Sequence, residues 1–123
     1  MITAILPWPP KELSPNTKSH WAKKARAVKA YKTSCLWECK LAKLKKMNAK
    51  GAYILIKFYP PDNRVRDTDN MIAAIKPAID AISDSIGIDD SKFVYEFLKA
   101  DKTMNGAVHI AIFPISASRR IAA

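Results

Sequence analysis

The run Ala52-Tyr53-Ile54-Leu55-Ile56-Lys57-Phe58-Tyr59, closed by Pro60-Pro61, constrains this chain more than any other stretch. β-Branched and aromatic residues follow one another with a single charge among them, which predicts a strand with neighbours on both sides. Around it the sequence predicts a strand at residues 2–6, stopped by Pro7-Trp8-Pro9-Pro10, and a long helix from about Lys18 to Met47. On that helix Trp21, Ala25, Val28, Tyr31, Cys35, Cys39 and Ala42 form the expected inward stripe. Trp8 is expected either to pin the turn to the core or to floor a groove.

A second helix is predicted over about 70–85, with Ile72, Ile75, Ile79, Ile82 and Ile86 as its apolar stripe and a kink or a fresh start at Pro77. Gly87 ends it. Strands follow at 93–100 and 107–113, joined by a turn at 101–106 that reads as a hairpin. The order β-α-β-α-β-β predicts an α+β domain: a small mixed β-sheet of about four strands with two helices against it. One domain over residues 1–115 is expected, with a fraying tail at 116–123 in which Arg119 and Arg120 are weak polyanion contacts.

The charge is the outlier in the composition, with 21 Lys plus Arg against 11 Asp plus Glu and a net charge of +10 in 123 residues. Such an excess points to a polyanionic partner, nucleic acid before membrane. Eleven of the basic residues lie between Lys18 and Lys50, among them Lys23, Lys24 and Arg26 on the first helix. A solvated face usually mixes signs, so this one reads as a phosphate-facing surface. Cys35 and Cys39 sit at helical i,i+4 spacing with no second pair, which favours free thiols over zinc. The N-terminus lacks a basic region and no apolar run reaches about 18 residues, so no signal peptide or membrane span is expected and the location is expected to be cytoplasmic.

Nucleophilic catalysis finds little support, because no Gly-x-Ser-x-Gly occurs and both histidines lack company; His109 reads as structural. The chemistry-bearing residues are acidic. Asp67 and Asp69, spaced i,i+2, would hold two like charges close together, which favours a hard cation such as Mg²⁺ between them. Asp69 or Asn70 also suits the N-cap of the second helix, and as that cap Asp69 would have no further role. Asp89-Asp90 follow that helix, and Asp90 at the start of the third strand would approach Asp67 and Asp69 from a neighbouring strand. Three carboxylates around one or two Mg²⁺ ions suit phosphodiester hydrolysis. Lys76 lies on the same helical face as Asp69 and would offset charge on the phosphate, or else simply pair with Asp80.

The motifs Leu6-Pro7-Trp8-Pro9-Pro10, Arg66-Asp67-Thr68-Asp69-Asn70 and Asp89-Asp90, in this order and separation, resemble the RusA-like endodeoxyribonucleases, which resolve Holliday junctions. The resemblance spans about residues 5–113. It implies a Mg²⁺-dependent (or Mn²⁺-dependent) homodimer that nicks four-way DNA junctions in recombination and repair. It puts Asp67, Asp69 and Asp90 on the family's metal-binding catalytic carboxylates, with Asn70 beside them. The family's lysine stands three residues after that asparagine, where this chain has Ala73; Lys76, three further on and about 4.5 Å along a helix axis, is expected to carry the role. Lys23, Lys24, Arg26, Arg64, Arg66 and Asn70 are the expected DNA contacts. A non-catalytic basic DNA-binding module, with the acids as helix caps, is the alternative.

Overall fold

Strand β2 (Gly51–Tyr59) lies inside a four-stranded mixed sheet, as its sequence predicts. The computed structural model describes residues 1–18 and 20–116. The remaining elements are β1 (Ile2–Leu6), α1 (Trp21–Leu41), α2 (Thr68–Ala74), α3 (Lys76–Ile86), β3 (Phe93–Lys99) and β4 (Ala107–Ile115), with short 3₁₀ turns at Lys11–Leu13 and Asp90–Lys92. The class is α+β. The predicted tail lies, apart from Ser116, outside the described residues. Among the described residues no helix is long and apolar enough to cross a membrane.

The sheet order is β1-β4-β2-β3. β2 and β3 are parallel, Ala52 opposite Phe93 and Phe58 opposite Lys99, so α2 and α3 form the crossover between them. β4 runs antiparallel to both β2 and β1. The predicted hairpin at 101–106 is therefore corrected: β3 and β4 are not partners. The connection passes over the end of β2, anchored by Ala100 N–H to the Phe58 carbonyl (2.8 Å) and Thr103 N–H to the Pro60 carbonyl (2.9 Å). It delivers β4 to the far side of β2.

One face of the sheet carries Ala4, Leu6, Ile54, Ile56, Phe58, Val108, Ile110 and Ile112, all buried against the helices. The isoleucine stripe of the second helical region holds, with Ile75, Ile79, Ile82 and Ile86 in the core and Ile72 half-buried. Each fully buried isoleucine contributes roughly 1.5–3 kcal/mol. That region is two helices broken at Ile75 (φ −95°, ψ 9°), with Pro77 in the first turn of α3, where its missing N–H costs nothing.

The first helix is shorter than predicted at both ends. Trp21 is 77 % exposed and Ala25 is exposed too; the stripe is half-covered at Val28 and buried only from Tyr31 on, through Cys35 and Cys39. An apolar stripe is buried only where something packs on it. The C-terminus closes at Leu41 because Lys43 takes a left-handed conformation (φ 63°). Lys43 N–H then bonds the Lys40 carbonyl (2.9 Å) and Leu44 N–H the Cys39 carbonyl (3.0 Å), a Schellman closure with Leu44 buried.

Candidate functional site

The proline-rich turn after β1 and the loop after β2 meet beside a groove of about 600 Å³. Trp8 fills both roles expected of it. Its ring meets Phe58 edge-on at 6.1 Å between centroids, which ties it to the core, and it also lines the groove. Gly106, at φ 70°, lets the 100–106 connection pass directly over it: a Cβ there would lie 2.9 Å from Trp8.

Asp62, which does not itself line the groove, braces the lining residues Arg64 and Arg66. Its Oδ1 accepts from Arg64 N–H (3.0 Å) and from Arg66 Nη1 (2.8 Å), and Arg66 also donates to the Asp62 and Arg64 carbonyls. These bonds, that of Arg66 foremost, hold the Asp62 carboxyl well below the usual carboxylate range. The Arg66 guanidinium then lies 5.5 Å from the Trp8 ring centroid, with its side chain only 16 % exposed. Of the two loop arginines among the predicted DNA contacts, Arg64 faces solvent, whereas Arg66 is folded into the groove wall.

The loop runs into α2, whose N-cap is Asp67 (φ −74°, ψ 127°). Asp67 Oδ1 accepts the Asp69 N–H at 2.9 Å, so the cap is Asp67 rather than Asp69. Asp69 follows in the first turn, exposed, where the helix dipole favours an acid. Asn70, half-buried, lines the groove with Asp67, Lys11, Arg64 and Arg66.

The break at Ile75 restarts the helix with Lys76 as the first residue of α3. Its Nζ donates to Asp80 Oδ1 (3.0 Å) and to Asp90 Oδ2. The pairing with Asp80 expected of Lys76 is therefore present, and the structure adds Asp90. The two bonds, that to Asp90 first, hold the ammonium above the ordinary lysine value. Asp90 opens the 3₁₀ turn before β3. Asp89 caps that turn, accepting from the Ser91 hydroxyl and from Ser91 N–H (3.0 Å), and these bonds keep its carboxyl below the usual range. The Tyr95 phenol behind the turn is pushed up, mainly by burial and next by the Asp90 carboxylate.

The predicted acids therefore stand in two places: Asp67 and Asp69 with Asn70 at the start of α2, and Asp90 with Lys76 and Asp80 at the start of α3. Among the described residues, no three His, Cys, Asp or Glu side chains are gathered so as to hold a metal ion. The oxygen donors suit Mg²⁺ in kind, but as arranged Asp67 serves as a cap and Asp90 as the partner of Lys76. Sequence reasoning missed Asp62, although its i,i+4 spacing to Arg66 was a signal, and missed the seat of Trp8 on Gly106, for which the sequence holds none.

On α1, Lys23, Lys24 and Arg26 are exposed, with Lys23 Nζ 3.6 Å from Glu12. Lys32 pairs with Asp84 at 2.9 Å. His109 sits half-buried on the sheet with its ring 4.3 Å from that of Tyr59.

No family model matches the chain. It is 38 % identical over 120 residues to an uncharacterized protein of Xylella fastidiosa (strain Temecula1 / ATCC 700964), an alignment covering 94 % of this chain and 78 % of that protein. On that identity and coverage, the chain belongs to the same protein family as this Xylella fastidiosa protein.

Proposed function

We propose that this protein is a Mg²⁺-dependent endonuclease of the RusA-like type that hydrolyses phosphodiesters in branched DNA, four-way junctions foremost. The observation that carries the reading is the groove where Lys11, Arg64, Arg66, Asp67 and Asn70 share one concavity, in a chain of net charge +10. A polyanion is drawn to such a place, and an acid waits in it. Asp67, Asp69 and Asp90 stand apart in the arrangement described and would have to draw together to hold the ion, which when bound supplies a polarised water and neutralises charge on the phosphate. The chain's own residues do the rest. Lys23, Lys24 and Arg26 hold backbone phosphates, which positions the DNA without reading its sequence. Lys76 is the cation available to a phosphate that gains charge during the reaction.

A second reading is favoured by one observation: Asp67 and Asp90 already have structural work as a cap and an ion-pair partner. It makes the protein a non-catalytic DNA-binding module. A labelled four-way junction, incubated with Mg²⁺ or with chelator beside linear duplex of the same sequence, separates the two. The enzyme gives junction nicks that need Mg²⁺, and Asp69→Asn abolishes them while binding survives. Full nicking by Asp69→Asn, or none by the unaltered protein, would remove the enzyme reading.

A further inference from the structure

The far half of α1 borders a second concavity. Thr33, Ser34, Leu36, Trp37, Glu38 and Lys40 line a depression of about 520 Å³ that shares no residue with the groove. Trp37 stands about 21 Å along the helix axis from Lys23, at the start of α1. It is 59 % exposed, and Leu41, one turn on, is 60 % exposed. Single exposed apolar residues are ordinary, but here two lie together beside a hollow.

Charge decides what covers them. Lys40, its ammonium 5.9 Å from the Trp37 ring centroid, is exposed, and so are Lys43, Lys45, Lys46 and Lys50 just past the helix end. Among the described residues none of these lysines is in an ion pair. Glu38, half-buried, is the one acid between residues 33 and 50. The helix dipole accounts for Lys40 in the last turn, but not for the lysines beyond it. A second copy of the chain would bring its own net charge of +10 here. A DNA duplex would satisfy the lysines, but it would set a charged backbone against Trp37 and Leu41. A flat anionic bilayer would leave the depression unfilled. An acidic peptide with a bulky apolar side chain meets both needs, because the side chain fills the hollow while the carboxylates face the lysines.

We propose that this end of α1 docks an acidic segment of a partner protein, anchored by an apolar side chain seated beside Trp37. The surface is separate from the groove and stands whatever chemistry the groove performs.

The probe is a fluorescein-labelled peptide of Asp and Glu around a central Phe-Leu pair, titrated with the full chain and read by anisotropy. It should bind in the micromolar range. Trp37→Ser should weaken it about tenfold or more, as should Lys40→Glu, and as should Ser-Ser in place of the peptide's own Phe-Leu. Both substituted side chains are exposed, so far-UV circular dichroism should not change. At physiological salt, which screens charges beyond about 8 Å, replacing Lys23, Lys24 and Arg26 by alanine should leave the affinity within about twofold. No binding, or binding that Trp37→Ser leaves unchanged, overturns the proposal. So does a loss of about tenfold in linear-duplex affinity with Trp37→Ser, which gives the face to nucleic acid. Uptake by phosphatidylserine vesicles that depends on Trp37 gives it to a membrane and overturns the proposal too. Nicking plays no part in the measurement, so its absence removes only the proposed function.

Discussion

Lys76, the first residue of α3, donates its ammonium protons to Asp90, the first residue of the turn before β3, and so ties the helix break to the start of the edge strand. The same ammonium holds Asp80. Its side chain is 58 % exposed, so the pairs add little to stability, about 0–1 kcal/mol in sum after solvent screening. Their sign is still defined. A raised ammonium pKa stabilises the fold below the ordinary lysine value, and that contribution is lost as pH rises beyond it.

Lys76→Met should therefore leave thermal stability within about 1 kcal/mol of the unaltered protein. It should lower junction nicking by about 10²–10³-fold, the usual cost of one charge-stabilising donor. It should also lower the Mg²⁺ concentration needed for half-maximal nicking by the residual activity, because Asp90 no longer has an ammonium on it. A Mg²⁺ titration of single-turnover nicking measures both.

Replacing Lys23, Lys24 and Arg26 together by alanine should weaken binding to a junction and to linear duplex alike. The slope of log affinity against log salt should become shallower by about 0.9 for each phosphate that the variant no longer neutralises. Fluorescence anisotropy at several salt concentrations reads this. An unchanged slope would move the DNA off the start of α1.

Gly106→Ala should destabilise the fold, because the position has a left-handed backbone and its new Cβ would meet Trp8 at 2.9 Å. A loss of about 1–3 kcal/mol is expected in urea unfolding. The groove should open with it, seen as a shift in tryptophan emission.

Lys43→Gly should do the opposite. Lysine there holds φ 63° at the end of α1, a conformation that glycine adopts without penalty. Stability should rise by about 0.5–1 kcal/mol in urea unfolding.

Cys35 and Cys39 should resist thiol reagents at pH 8 until the protein unfolds. Burial pushes the Cys35 thiol up to about 12 and raises that of Cys39, so neither offers a thiolate in the native state. The sign of the linkage follows. The thiols favour the fold fully below the ordinary thiol value near 9, and their contribution falls as pH rises toward 12. A thiol-reactive dye followed against urea concentration should report in step with global unfolding.

Much of the fold was legible because strands and helices announce themselves by local period. β2 was readable as interior from its unbroken apolar run, and Pro77 told of a helix restart that the structure places at Ile75. The end of α1 was not readable, since a lysine in left-handed conformation carries no glycine signal. Nor was the separation of β3 from β4, because a short link between two strands reads as a hairpin whichever partner each strand finds. At the candidate site, residue types were plain from Asp67, Asp69, Lys76 and Asp90, but which carboxylate Lys76 would take depends on where the turn at Asp90 lands after α3.

The place of β4 has a consequence for how the chain matures on the ribosome. Among the described residues β1 has no sheet neighbour except β4, and β4 is made after the other three strands. The opening strand must therefore wait, unzipped, until residues 107–115 have cleared the exit tunnel. The sheet then completes by slotting its latest-born strand into the gap between two older ones, so that residues 2–6 join it only in the final step.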